Sequence, residues 1–153
     1  MAAGAFMVSC SSNGGEKQES MDPLTQSEKE AIAEEESPVY VPEGANVFFV
    51  NLKDGQEVTN PVHVEMGVKG FTVVPAGKVE KGTGHHHLII DEGASEKGVV
   101  VPADDTHIHF GGGQVDTEVE LTPGEHTLTL QFANGVHQSF GPEMSKTIKV
   151  VVK

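Results

Sequence analysis

The sequence predicts an all-β domain, an immunoglobulin-like antiparallel Greek-key β-sandwich of about eight strands. Three observations predict it. Apolar residues alternate with polar ones at period two in several separate runs, turn signals fall between the runs, and no helical period appears after Glu36. A closed barrel is the second choice on the same pattern.

The runs are short. Val62, Val64, Met66 and Val68 alternate with His63, Glu65 and Gly67. Val115, Thr117, Val119 and Leu121 alternate with acids. Leu128, Leu130 and Phe132 alternate with Thr127, Thr129 and Gln131, and Ile148, Val150 and Val152 with Thr147 and Lys149. Such strands have one buried and one wet face. Lys53-Asp54-Gly55, Pro75-Ala76-Gly77, Pro123-Gly124, Asn134-Gly135 and Gly141-Pro142 supply the turns.

The predicted domain spans 39–153. Before it lies an acidic tract, 11–38, with few large apolar residues. It cannot bury enough surface to offset its ordering entropy, so a flexible, partly helical linker is expected. Asp22-Pro23 is the expected helix start, Asp22 as N-cap and Pro23 in the first turn. Residues 1–10 end in Met7-Val8-Ser9-Cys10 and resemble a bacterial lipoprotein leader. That resemblance implies lipidation at Cys10 and a lipid-anchored place in the cell envelope, periplasmic or on the outer surface; secretion is the alternative.

Charge narrows the partners. The chain of 153 residues carries 10 basic residues against 23 acids, a net charge of −13, and every basic residue is lysine. Without arginine, forked recognition of phosphate is missing, and nucleic acid is excluded as a partner. Membrane contact is expected only through a lipid on Cys10. No run is long and apolar enough to cross a bilayer, and a single cysteine allows no internal disulfide.

Eight histidines carry the chemical signal. His85, His86 and His87 are consecutive; His107 and His109 flank Ile108. On a strand, residues i and i+2 share a face. Parity therefore pairs His107 with His109 and His85 with His87, and turns His86 inward with Leu88 and Ile90. Ile89 breaks the alternation. Imidazole is the commonest transition-metal ligand, and two such pairs on neighbouring strands make a three- or four-ligand site for copper or zinc. His85, His87, His107, His109 and His137 are the candidate ligands. His86, Asp104 and Asp105 are candidates to support them from behind. Met66 or Met144 would add a soft ligand for copper(I). His63 and His126 read as structural.

Two resemblances follow from the motifs. GHHHLIID (84–91), VPADDTHIHFGGGQ (101–114), LTPGEHTLTLQFANG (121–135) and VHQSFGPEMSKTIKV (136–150) resemble a family of small exported bacterial domains of unknown function. NLKDGQEVTNPVHVEMGVKGF (51–71) is similar to that family's opening hairpin. The resemblance covers 46–152 and implies a β-sandwich, export or lipid anchoring, and no established activity. The family's histidines match at His85, His86, His87, His107, His109 and His137. More weakly, His107-Ile108-His109 is similar to the His-x-His copper ligands of copper/zinc superoxide dismutases. Only those two ligands carry over, and the arginine that guides superoxide has no counterpart.

The expected function is an envelope-anchored domain binding copper or zinc through clustered imidazoles. The alternative is a non-catalytic interaction module for another envelope protein, with structural histidines. No nucleophile elbow and no His-Glu-x-x-His occurs, and neighbouring Asp104 and Asp105 would diverge on a strand, so no catalytic residue is assigned.

Overall fold

In the computed structural model, residues 24–153 are described. Cys10, Asp22 and Pro23 lie outside them. The first element is helix α1 (Gln26–Glu35). Thr25, not Asp22, caps it: its Oγ1 accepts from the Glu28 N–H at 3.3 Å, and its own N–H donates to Glu28 Oε2 at 2.7 Å. This reciprocal capping box satisfies two free N–H groups of the first turn. No residue of α1 is buried, whereas Val39 already belongs to the core.

Nine strands follow, in two sheets. The smaller has the order β1 (Asn46–Phe49), β3 (Val62–Lys69), β7 (Asp116–Val119). The larger runs β2 (Gln56–Val58), β9 (Ser145–Val152), β8 (Gly124–Ala133), β5 (Thr83–Ile90), β4 (Thr72–Val73), and β6 (His107–His109) also pairs with β5. The long pairings are antiparallel; short β2 and β4 join β9 and β5 in parallel. One short 3₁₀ turn, Pro142–Met144, leads into β9.

The alternating runs meet between the sheets. Val47, Phe49, Val62, Val64 and Met66 from the smaller sheet face Leu88, Leu128, Leu130, Phe132, Ile148 and Val150 from the larger. Leu88, Leu130 and Phe132 are fully buried. Truncating Leu130 to Ala would cost about 2–5 kcal/mol, the range for a large core side chain.

β5 departs from the one-wet-face rule: Gly84 through Ile89 are all buried. Register explains it. His86, Leu88 and Ile90 lie opposite Phe132, Leu130 and Leu128 on the core face. His85, His87 and Ile89 share the other face with Ala133, Gln131 and Thr129. That outer face is roofed by the chain after β5. Thr129 Oγ1 donates to the Glu92 carbonyl at 2.9 Å, Ser95 N–H to Gln131 Oε1 at 3.0 Å, and Val101 N–H to the His137 carbonyl at 2.9 Å. Ile89 is thus buried beneath a loop and stands outside the inter-sheet core.

Candidate metal centre

The outer face of β5 carries the site. Antiparallel pairing sets His87 opposite His109 of β6, so a strand pair delivers His85, His87 and His109 to one face. The fourth imidazole arrives from a turn. β8 ends at Ala133, and Asn134 Oδ1 accepts from the N–H groups of Val136 and Gln138, both at 3.0 Å. The Asn134 amide also donates to the Pro38 carbonyl at 3.3 Å and to Gln138 Oε1 at 3.0 Å. The turn so held sets His137 in left-handed backbone, φ 68°, uncommon outside glycine. It folds the ring back over β5.

Nε2 of His85 is the hub. It lies 3.1 Å from Nε2 of His87, 3.2 Å from Nε2 of His109 and 3.2 Å from Nδ1 of His137. One ligand atom from each of the four residues fits within 4.8 Å of the others. His85 and His87 are buried, His109 and His137 partly exposed. Nδ1 of His85 and of His87 is buried with no hydrogen-bond partner among the described residues.

Burial, first, and mutual repulsion, second, hold these rings neutral. The pKa of His85 falls from 6.5 to about 4, and that of His87 to about 3. His109 is lowered for the same two reasons. Near neutral pH three of the rings therefore present lone pairs, the form that binds metal.

Glycines shape the rim. A side chain on Gly111 would stand 2.5 Å from Nε2 of His109. One on Gly135 would collide with the Lys78 carbonyl. Both approaches belong to one strap: Ala76 N–H donates to the Gly111 carbonyl at 2.9 Å, and Gly77 N–H to Gly135 at 2.8 Å. The strap at 75–78 thereby ties the loop after His109 to the turn carrying His137.

The other candidates fall elsewhere. His107 shares the face of His109 but not the group. Asp104 Oδ1 takes its Nδ1 at 2.9 Å, and its Nε2 lies 4.0 Å from Glu92. Of the five expected ligands, His85, His87, His109 and His137 come together in the group and His107 stands outside it. Asp104 orients His107 rather than a member of the group, and Asp105 is exposed. His86 points into the core, its ring 5.0 Å from that of Phe132, and both its nitrogens lack a hydrogen-bond partner among the described residues, so it supports none of the four. Met66 and Met144 belong to the core. His63 is half exposed near Glu65 and Asp116, and His126 bonds Asp91 and the Thr122 carbonyl.

Asn134, Gly111 and Gly135 are the residues that parity could not reveal. Asn134-Gly135 marks a turn in sequence, but nothing there says which imidazole the turn presents.

Comparison with curated proteins and with solved structures finds no match. Residues 64–153, which include all four histidines of the group, match the model of the family described as Domain of unknown function (DUF4399), and the chain belongs to that family.

Proposed function

We propose that this domain binds one transition-metal ion, copper or zinc, through His85, His87, His109 and His137, and that a lipid on Cys10 holds it at the bacterial envelope. One observation carries the metal reading: three nitrogens crowd within 3.2 Å of Nε2 of His85. A ring nitrogen has either one hydrogen or one lone pair. It can therefore satisfy one such neighbour by a hydrogen bond, not three. A cation drawing on four lone pairs satisfies all of them at once. Neutral imidazole donors suit copper and zinc and are poor ligands for magnesium or calcium.

The anchor is supported by Met7-Val8-Ser9-Cys10 and the acidic tract that follows. Mass spectrometry of membrane-fraction protein would find a diacylglyceryl group on Cys10, and Cys10→Ser would release the protein.

For the metal, the full chain is purified without chelator, analysed for metal content, and melted with added zinc or copper. About one ion per chain and a melting temperature that rises with free metal are expected. Absence of both metal and shift would remove the reading.

A further inference from the structure

We propose that the four-imidazole site is built for a tetrahedral d10 cation, zinc(II) or copper(I), and disfavours the tetragonal ions copper(II) and nickel(II). The inference rests on the metal-binding reading above and deepens it.

The vertex at His85 decides the geometry; the four ligand atoms together spread over 4.8 Å, which a bound ion would draw in. In a square plane each ligand atom has two near neighbours and one across the metal, about 2.9 Å and about 4.1 Å away for bonds near 2.0 Å. At a tetrahedral centre every ligand atom has three equal neighbours, about 3.3 Å away for the same bonds. Nε2 of His85 has three neighbours, at 3.1, 3.2 and 3.2 Å. No atom of a square plane has three.

The rings agree. The His137 ring stands at 82°, 87° and 83° to those of His85, His87 and His109. It enters across the three rings presented by the strand pair. Flattening the site would require His137 to leave its place, and that place is fixed by the Asn134 turn and the strap at 75–78.

Four protein donors also fill a tetrahedral shell. Closed shells hold an ion, whereas catalytic zinc sites keep a position open for water or substrate. The site is one for carrying or storing the ion rather than for hydrolysis.

The test uses the full chain, stripped of metal, with cobalt(II) as the optical probe. Zinc(II) and anaerobic copper(I) should bind one to one, nickel(II) at least about tenfold more weakly than zinc. Cobalt(II) should give the intense ligand-field absorption of a tetrahedral centre. His137→Asn should convert it to the weak spectrum of a higher-coordinate ion by admitting water. This variant keeps the fold testable should His85→Ala fail to fold. A weak six-coordinate cobalt spectrum in the wild type, or nickel bound more tightly than zinc by a site that still needs all four imidazoles, would overturn the tetrahedral assignment and leave metal binding standing. No binding of any of these ions would overturn both.

Discussion

Nδ1 of His137 stands 3.2 Å from Nε2 of His85, across 52 residues of chain. The strand fixes one partner and a left-handed turn fixes the other, so the two are separable by mutation. Asn tolerates left-handed backbone better than most residues. His137→Asn should therefore leave the metal-free melting temperature almost unchanged. Zinc affinity should fall by at least about tenfold, the smallest loss seen even when a mere supporting residue is removed from a metal site. His107→Ala, outside the group, should leave affinity unchanged. Isothermal titration of both variants decides the matter. Equal losses would show that the group is not the ligand set.

Gly111→Ala offers a subtler probe. Its methyl group would sit 2.5 Å from Nε2 of His109, an atom of the proposed ligand set at the free end of a ring that can swing. The protein should fold and lose about tenfold or more in metal affinity, because ligand position is misset rather than removed. Gly135→Ala meets the backbone carbonyl of Lys78 instead, and the strap cannot yield as a side chain does. It should lower the melting temperature of the metal-free protein. Circular dichroism melts beside zinc titrations separate the two. A Gly111→Ala protein with wild-type affinity would mean that His109 moves freely or is not needed.

The architecture was readable because it rests on a local rule. Alternation in 62–68, 128–132 and 148–152 names the inward residues, and those residues do form the core. The candidate site was half readable for the same reason. Parity put His85 with His87 and turned His86 inward, as the register of β5 and β8 requires. What escaped was everything set by contacts remote in sequence. Ile89 spoiled the alternation because a loop covers the outer face of β5, and no period encodes a loop's path. His107 satisfied parity yet missed the group, because Asp104 three residues earlier holds its Nδ1. The position of His137 depends on an Asn134 side chain closing a turn, which only the folded chain reveals.

His86 predicts how the metal-free protein responds to acid. Burial alone lowers its pKa from 6.5 to about 4. Below about pH 6.5 the unfolded chain takes up a proton that the folded chain refuses, so stability falls as pH falls, until both states are protonated near pH 4. The shift corresponds to about 3 kcal/mol across that window. His86→Leu removes both unpartnered nitrogens at similar volume. It should make the acid side of the stability curve less steep, the remaining slope belonging to His85 and His87, with the largest gain over wild type at about pH 4–5. Urea melts at stepped pH measure this. Parallel acid profiles for the two proteins would show that His86 does not carry the dependence.

His126 predicts the opposite slope on the alkaline side. Its Nδ1 lies 2.8 Å from Asp91 Oδ2 and its Nε2 2.9 Å from the Thr122 carbonyl. The Asp91 carboxylate and the Thr122 carbonyl both accept and so favour the imidazolium, with the Thr122 hydroxyl also 3.2 Å from Nε2. The Asp91 hydrogen bond, foremost, raises the pKa above 6.5 against the opposing effect of burial, with the Thr122 carbonyl adding to it. A raised folded-state pKa contributes stability that is complete below the unfolded value of 6.5 and is lost as pH rises through the folded value. The clasp matters beyond its own energy, because Asp91 opens the segment that roofs His85 and His87, and its Oδ1 also accepts from the Thr127 N–H at 2.8 Å. His126→Gln keeps a single donor and cannot titrate. The wild type should therefore lose stability as pH rises above 6.5 and through the raised folded value, while the variant stays level over the same range. Amide exchange at Ser95 and Val101 should quicken in the wild type over that interval, reporting the roof loosening as its mooring is deprotonated. If wild type and variant show the same slope, the clasp is not what the alkaline arm reports.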